Sequence, residues 1–284
     1  MKGVILAAGY ATRFLPASKT IPKEMFPIID TPAIDYIVKE MVNSGIQDIL
    51  IVSSRRKKSL EDYFDHEIEL ETTFTEAKKL DRLEKIEPIA ANIFIMRQHY
   101  MMGTGNALML VEPFVSGEPF VVAYPDDIVL GDPPLSKQLI DAYNKTGNTI
   151  LAVQEVKEDV SRYGVIDPEG TEGVMGVRQM VEKPDPGTEP SHLVSFGRYL
   201  YTPDLFDILR QTVDDAREGE FTQTEAINSM ARVGKVSAVR FTGQRYDVGE
   251  PLGYVQTTIK LALQDKRYRE ELLQFMKEQV DGAK

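Results

Sequence analysis

The spacing of apolar residues in the first half of the chain predicts alternating strands and helices. Residues 4–7 are apolar without alternation, which is typical of a strand covered on both faces. Apolar residues at helical spacing follow over 33–44, and Gly45 ends this predicted helix. Further strands are predicted at 48–52, 93–97, 120–123 and 149–156, and further helices over 60–87, from Asn106 and over 135–143. This order predicts a mostly parallel sheet with helices on both faces.

The pattern changes after Val156, where shorter strands alternate with loops that contain Gly and Pro. Strands are predicted at 163–166, 174–181, 193–200 and 236–241, and helices at 203–214, 223–231, 251–265 and 267–280. We therefore expect an α/β, Rossmann-like fold with a mostly parallel to mixed sheet, a β-rich subdomain and a C-terminal helical arm. One domain is predicted over 1–265, and the arm over 251–284 is predicted to dock or to form a homo-oligomer.

Composition narrows the range of partners. A chain of 284 residues suffices for one large α/β domain, and its net charge of −11 argues against a nucleic acid or an anionic membrane as partner. The absence of cysteine excludes a disulfide framework and a thiolate metal site. No apolar run approaches the length that spans a bilayer, and too few apolar residues follow Met1 for a signal peptide. We expect a cytoplasmic protein that binds small anionic ligands.

A short basic loop follows the first predicted strand. Small residues end the strand and three cations follow before any acid; these residues are Ala7, Ala8 and Gly9, then Arg13, Lys19 and Lys23. Small residues let the backbone amides approach phosphate oxygens, and the cations supply the charge that a triphosphate and a leaving pyrophosphate require. The loop is neither a Gly-Lys-Ser/Thr phosphate loop nor a Gly-x-Gly-x-x-Gly turn. Taken alone, it is also compatible with an ordinary loop that carries solvated lysines.

Two acidic positions are candidates for a metal site. Asp126 and Asp127 follow the predicted strand 120–123, and ligands of parallel sheets bind at the carboxyl ends of strands. An Asp-Asp pair alone is more typical of a solvated turn. Asp247 lies in the segment Arg-Tyr-Asp-Val-Gly. Because Mg²⁺ takes one or two carboxylates together with substrate phosphates and waters, two acids from distant segments would suffice.

Two further segments carry polar groups suited to a sugar and a base. Glu182 and Lys183 end an extended run, so their side chains are expected on opposite sides of a strand. As isolated residues they are ordinary surface charges. Gln98 precedes a Gly-x-Gly element that begins at Gly103. A glutamine amide can both donate and accept, as the O4 and N3–H edge of uracil or thymine requires.

The first 27 residues carry a specific resemblance. The sequence Leu-Ala-Ala-Gly-x-x-Thr-Arg-x-Leu-Pro, followed by Ile-Pro-Lys-Glu-Met-x-Pro, resembles the signature of sugar-1-phosphate nucleotidyltransferases. Within that family it is most similar to the bacterial UTP:glucose-1-phosphate uridylyltransferases. The elements Tyr-Gly-Val-Ile at 163–166 and Glu-Lys-Pro at 182–184 are similar to sugar-side elements of the same family. The resemblance extends from residue 3 to about residue 265.

The resemblance implies that UMP is transferred from UTP to glucose 1-phosphate, with Mg²⁺ as cofactor and pyrophosphate as the second product. It divides the domain into a nucleotide-binding half, 1–156, and a sugar-binding half, 157–250. It implies metal binding by Asp126 and Asp247 and catalytic roles for Arg13, Lys23 and Lys183. The implied nucleotide-binding residues are Ala7, Ala8, Gly9, Gln98 and Gly103, and the implied sugar-binding residues are Asp127, Gly164, Glu182 and Lys183.

Several positions depart from the family pattern and leave alternatives open. Ala11 stands where the family has Gly, Met102, Thr104 and Asn106 replace Lys, Leu and His, and Glu250-Pro251 replaces Ser-Lys. The alternatives are the same chemistry with dTTP, or with another hexose or N-acetylhexosamine 1-phosphate. A third alternative is a non-catalytic paralogue that binds sugar nucleotides and regulates a partner. The presence of both acids and of Lys23 argues against it.

Overall fold

The strands were assigned in a computed structural model that describes residues 1–157, 159–215 and 222–282. They are β1 (Lys2–Leu6), β2 (Pro27–Ile28), β3 (Thr31–Pro32), β4 (Asp48–Ser53), β5 (Asn92–Arg97), β6 (Phe120–Ala123), β7 (Asp127–Leu130), β8 (Thr149–Glu155), β9 (Gly164–Glu169), β10 (Val174–Glu182), β11 (Leu193–Tyr201), β12 (Val236–Arg240) and β13 (Gln244–Asp247).

The helices lie between these strands and at the C-terminal end. They are α1 (Ala33–Asn43), α2 (Lys58–Phe64), α3 (Ile68–Glu76), α4 (Leu80–Ile86), α5 (Thr104–Leu110), α6 (Glu112–Val115), α7 (Leu135–Thr146), α8 (Leu205–Asp215), α9 (Thr224–Arg232), α10 (Pro251–Gln264) and α11 (Arg269–Gly282).

Within the described residues, nine strands form one sheet in the order β5-β4-β1-β6-β11-β8-β12-β10-β9. The strands β5, β4, β1 and β6 are mutually parallel, as the first half of the sequence predicts. β11 is antiparallel to β6 and to β8, and β10 is antiparallel to β12 and to β9. The second half departs from a parallel arrangement because loops, rather than crossover helices, connect β9 to β10 and β10 to β11. The predicted α/β fold with a mixed sheet is confirmed.

Helices cover both faces of the sheet. On one face, Ile34, Ile37 and Met41 of α1 are fully buried against β1 and β4. A Cβ added at Gly3 would lie 2.7 Å from the Met41 sulfur, so this glycine lets α1 approach β1 closely. The opposite face packs against α5, α8 and α9. The loops at the carboxyl ends of the strands are therefore held by a rigid scaffold.

Three sequence predictions differ from the structure. The predicted helix over 60–87 is three short helices, of which α3 and α4 bury none of their side chains. α5 begins at Thr104 rather than at Asn106. β7 and β13 were not predicted, and they pair in antiparallel fashion with Asp127 opposite Asp247. β13 escaped prediction because its sequence, Gln-Arg-Tyr-Asp, has no apolar alternation.

The C-terminal arm is anchored on the hairpin formed by β2 and β3. The Tyr254 hydroxyl of α10 donates to the Pro27 carbonyl oxygen at 2.6 Å, and Arg267 forms an ion pair with Asp30 at 3.0 Å. Leu273 and Phe275 of α11 are exposed. The role of this arm in self-association stays a prediction, as do the domain bounds. Across the described ranges, no helix has the length and apolar character needed to cross a membrane.

Candidate active site

A cavity of about 340 Å³ lies at the carboxyl ends of β1, β5 and β6. Six of the residues predicted from sequence line it: Ala8, Gly9, Lys23, Gln98, Gly103 and Asp126. Ala7 is buried behind this lining, and its amide donates to the Val52 carbonyl oxygen at 2.8 Å, which joins the end of β1 to β4. The fold therefore brings the predicted nucleotide-binding residues and one predicted metal acid to a single cavity.

Gln98 is held in a defined orientation in this cavity. Its side-chain amide donates to Asn106 Oδ1 at 2.9 Å, and its backbone amide donates to the Ser53 carbonyl oxygen at 2.9 Å. One N–H and the carbonyl oxygen of the Gln98 side chain remain for a ligand. Asn106, where the family has His, is thus the partner of the predicted base-reading residue. The sequence did not reveal this contact.

A buried hydrogen-bonded group forms the wall behind the cavity. The hydroxyls of Tyr124 and Tyr201 both donate to Gln223 Oε1, at 2.7 and 2.9 Å, and the backbone amide of Gln223 donates to Thr104 Oγ1 at 3.2 Å. Burial raises the pKa of Tyr124 well above its usual value, so its phenol stays protonated and can donate. Gly103 has φ of 95°, a conformation that favours glycine. Thr104, which stands where the family has Leu, therefore fixes this loop by a hydrogen bond to Gln223.

The cations of the basic loop differ in their exposure and in their partners. Ala11 adopts the left-handed conformation, with φ of 53°, where the family has Gly, and its carbonyl oxygen accepts from the Ser18 hydroxyl at 2.8 Å. Arg13 is exposed and its side chain makes no hydrogen bond or ion pair within the described residues. Lys23 is largely buried and its ammonium contacts the Asp126 carboxylate. The Lys23 ammonium therefore already lies beside Asp126, and the Arg13 side chain is available to bind a ligand.

A buried ion pair fixes the segment that carries Lys23. Glu24 is 1% exposed, and both its carboxylate oxygens accept from Lys57 Nζ, at 2.7 and 2.9 Å. Burial lowers the pKa of Lys57 despite the attraction of Glu24. The sequence does not reveal this pair, because Lys57 stands in an Arg-Arg-Lys-Lys run that is typical of a solvated surface.

Removing one partner of this pair should be strongly destabilising. Lys57→Met is expected to lower the free energy of unfolding by about 3–5 kcal/mol, because the Glu24 carboxylate would stay buried without a countercharge. The double variant Glu24→Leu/Lys57→Met should recover most of the loss. Urea unfolding of both variants measures the free energy of unfolding. Exposed ion pairs contribute about 1 kcal/mol or less, so a loss of that size in Lys57→Met would show that the pair is solvated.

The two predicted metal acids flank one glycine. A Cβ added at Gly249 would lie 3.1 Å from Asp126 Oδ2 and 3.3 Å from Asp247 Oδ1. The Gly249 amide donates to Asp247 Oδ1 at 2.8 Å, and the Val248 amide donates to the Asp126 carbonyl oxygen at 2.8 Å. The fold thus brings together two acids that are distant in sequence. Two carboxylates in this position fit the oxygen donors that Mg²⁺ takes from a protein.

The Asp127 carboxylate forms its hydrogen bonds with other residues of the protein. It accepts from Arg245 Nε at 2.6 Å and from the Gly197 amide at 3.4 Å. Burial raises the pKa of Asp127, and Arg245 opposes the rise. Arg245 also reaches Asp247 Oδ2 at 3.4 Å and lies over the Phe196 ring at 4.0 Å. Arg245 was not predicted as a site residue, although its position two residues before Asp247 places both side chains on one face of a strand.

The predicted sugar-side residues form a second group. Gly164 and Glu182 are opposite each other in the pairing of β9 with β10, and a Cβ at Gly164 would lie 3.1 Å from Glu182 Oε2. Lys183 is exposed and has φ of 48°, and its amide donates to the Tyr163 carbonyl oxygen at 2.9 Å. A non-glycine residue in this conformation marks a constrained backbone.

An ion pair joins this sugar-side group to the metal acids. Arg162 precedes β9 and bonds Glu250, which follows β13, at 3.0 Å. The departure at Glu250 thus has a defined partner. Because Asp247 ends β13, the pair places the loop before Gly164 next to the loop of Asp247. The two groups of predicted residues are therefore linked through neighbouring loops.

Known proteins share this arrangement of sequence and fold. The sequence model of the family described as nucleotidyl transferase matches residues 2–264. The chain belongs to this family. The match covers both groups of site residues in this nucleotidyltransferase, from Ala7 to Asp247, and confirms the resemblance drawn from the signature.

Individual relatives are similar over nearly the full length of this nucleotidyltransferase. A protein of Staphylococcus epidermidis named UTP--glucose-1-phosphate uridylyltransferase is 48% identical over 281 residues, which are 98% of this chain and 97% of the relative. The solved structure of a UTP-bound UGPase from Acinetobacter baumannii is 34% identical with a TM-score of 0.89, and each chain is covered to 98%. A UDP-glucose pyrophosphorylase complexed with UDP-glucose is 38% identical with a TM-score of 0.81, covering 93% of this chain and 99% of the other.

Proposed function

We propose that this nucleotidyltransferase transfers UMP from UTP to glucose 1-phosphate, forming UDP-glucose and pyrophosphate. The observation that carries the proposal is the single cavity in which the Gln98 amide and the Asp126 carboxylate both form part of the lining. A base-reading amide and a metal-binding acid in one cavity suit a nucleoside triphosphate. The full-length similarity to the Staphylococcus epidermidis uridylyltransferase supports UTP and glucose 1-phosphate as the substrates.

Gln98 would select the nucleotide by its remaining hydrogen-bonding groups. The amide N–H that Asn106 does not occupy would donate to uracil O4, and the side-chain oxygen would accept from uracil N3–H. Adenine presents a different set of donors and acceptors, so one polar group would stay unpaired at a cost of about 1–3 kcal/mol. We therefore expect ATP to be a poor substrate. Guanine offers O6 and N1–H in the same order as uracil O4 and N3–H, so we expect the larger purine ring, rather than Gln98, to make GTP a poor substrate.

Asp126 and Asp247 would hold Mg²⁺, because their carboxylates flank Gly249 and phosphates and waters complete such sites. The metal, when bound, neutralises negative charge on the phosphates. Among the described residues, no cluster of three or more His, Cys, Asp or Glu offers an all-protein metal site. A site of two acids that depends on substrate phosphates is consistent with that finding.

The reaction requires one displacement at phosphorus. An oxygen of the glucose 1-phosphate phosphate forms a bond to the α-phosphorus of UTP, the bond from that phosphorus to its bridging oxygen breaks, and pyrophosphate leaves. Positioning and charge neutralisation provide most of the rate enhancement in such transfers. Lys23, beside Asp126, would stabilise charge on the α-phosphoryl group, and the exposed Arg13 would bind the departing pyrophosphate. Lys183 would hold the phosphate of the attacking sugar.

The acceptor sugar would lie along β9 and β10. Gly164 leaves space beside the Glu182 carboxylate, which can accept from sugar hydroxyls. Asp127 would act in this half by holding Arg245, which also reaches Asp247.

Glu182→Ala should reduce the discrimination between hexose epimers. We expect the ratio of kcat/KM for glucose 1-phosphate over galactose 1-phosphate to fall about tenfold, because one hydrogen bond to a sugar hydroxyl is lost. Glu172→Ala, which changes an exposed acid in the loop between β9 and β10, serves as the control. An unchanged ratio in Glu182→Ala would remove Glu182 from the sugar site.

Pyrophosphate release over a matrix of nucleoside triphosphates and sugar 1-phosphates tests the proposed function. UTP with glucose 1-phosphate is expected to give the highest kcat/KM and dTTP the second highest, with ATP and GTP lower by about 10-fold or more. A preference for ATP would contradict the role given to Gln98. No turnover with any pair would favour a protein that only binds sugar nucleotides.

A further inference from the structure

A buried ion pair lies directly beneath the loop that carries Asp126. Arg198 of β11 and Glu40 of α1 are 1% and 3% exposed at their side chains, and Arg198 Nη2 lies 2.9 Å from Glu40 Oε2. The Arg198 Nε also donates to Glu40 Oε1 at 3.2 Å. Glu40 Oε1 in turn accepts from the amide and the hydroxyl of Ser136, at 3.0 and 2.5 Å. The pair therefore connects β11, α1 and the start of α7.

Two of the remaining donors of Arg198 go to the carbonyl oxygens that flank the loop between β6 and β7, and one goes to Gly197 of β11. Nη1 donates to the Tyr124 carbonyl oxygen at 3.2 Å and to the Gly197 carbonyl oxygen at 3.0 Å. Nη2 donates to the Asp127 carbonyl oxygen at 3.1 Å. The two loop carbonyls stand on either side of Pro125-Asp126 in sequence. All five guanidinium N–H groups thus have acceptors, and the planar side chain holds both ends of the Asp126 loop.

We propose that Arg198, fixed by Glu40, is a positioning residue that holds the Asp126 carboxylate where it meets Asp247 and the nucleotide phosphates. This inference rests on the proposed function, which assigns Asp126 to metal binding. The Val248 amide, at 2.8 Å from the Asp126 carbonyl oxygen, transmits the position of this loop to the loop of Asp247. Displacing Arg198 would therefore change the distance between the two acids.

Stability alone does not account for the pair. A buried ion pair is often neutral or destabilising relative to apolar residues of similar volume, because both charges lose their hydration. Its geometry specifies a loop position that apolar residues would not specify, since they offer no donors to the carbonyl oxygens of Tyr124 and Asp127. Lysine would keep the charge beside Glu40, but its compact ammonium cannot present a planar fork to both carbonyls.

Arg198→Lys tests this inference with two measurements that need no turnover. The first is hydrogen exchange of the backbone amides over 122–128. The second is a titration of the protein with Mn²⁺ in the presence of UTP and without sugar phosphate, which follows free Mn²⁺ by electron paramagnetic resonance. We expect faster exchange and Mn²⁺ affinity weaker by about 10-fold, the size of effect seen when groups that orient metal ligands are changed.

Thr149→Val is the matched control, because it removes buried hydrogen bonds to Thr202, which join the start of β8 to the residue after β11 and lie away from the Asp126 loop. It should change neither readout. If Arg198→Lys does not fold, Glu40→Leu/Arg198→Met replaces it, since no charge then stays buried alone. Native exchange and native Mn²⁺ affinity in a folded Arg198 variant, or equal changes in Thr149→Val, would overturn the inference.

Asp126→Asn in the same titration separates this inference from the proposed function. Unchanged Mn²⁺ affinity in Asp126→Asn would overturn the assignment of the metal. The exchange of residues 122–128 in Arg198→Lys would then still decide whether Arg198 holds the loop.

Discussion

Asp126→Asn and Asp247→Asn are each expected to lower kcat by about 100-fold or more while the chain stays folded, because one anchor of the charge-neutralising site is lost. The two carboxylates flank Gly249, so neither can replace the other at its position. Steady-state kinetics at saturating UTP and glucose 1-phosphate, over a range of Mg²⁺ concentrations, measures the effect.

Asp141→Asn is the control for these variants, because Asp141 lies on the surface helix α7 and pairs only with Lys137 among the described residues. It should retain native kinetics. Full Mg²⁺-dependent activity in Asp126→Asn or in Asp247→Asn would show that the residue concerned does not bind the metal.

Gly249→Ala should also impair turnover strongly, although it adds only a methyl group. The new Cβ would lie 3.1 Å from Asp126 Oδ2, 3.2 Å from Asp126 Cβ and 3.3 Å from Asp247 Oδ1, so one or both carboxylates must shift. A misplacement of this kind within a reacting site can cost about 10²-fold in rate. We expect kcat to fall about 10- to 100-fold, with a higher Mg²⁺ requirement.

Gly282→Ala provides the comparison, because a Cβ there meets no atom within 4 Å in the described part of the chain. Measuring kcat and the thermal midpoint of both variants separates a site effect from a loss of stability. Native kcat in Gly249→Ala would mean that the acids are farther apart in the working enzyme than in this structure.

The sequence predicted the order of the elements well wherever burial made the pattern strong. The uninterrupted apolar run of β1 and the helical spacing of α1 identify elements that bury most of their side chains. Strands without an apolar pattern, such as the polar strand β13, could not be predicted from the sequence. The helices α3 and α4 bury no side chains, so their boundaries depend on local preferences that the apolar pattern does not report.

The candidate site was predictable where a signature names its residues, as for Lys23, Asp126 and Gln98. Its supporting contacts were not, because each joins residues far apart in the chain. Lys57, the partner of Glu24, stands in a run of cations that is typical of a surface loop. Arg198, the partner of Glu40, is the one charged residue of a strand that is otherwise apolar or small. Only the fold shows that their charges are paired and buried beneath the site.

The stoichiometry of the products shows whether this enzyme joins UMP to glucose 1-phosphate. The native chain is incubated with UTP, glucose 1-phosphate and Mg²⁺, and pyrophosphate and UDP-glucose are quantified together. We expect one UDP-glucose for each pyrophosphate and the loss of both products when a chelator removes the metal. Pyrophosphate without UDP-glucose, or no pyrophosphate at all, would contradict this expectation.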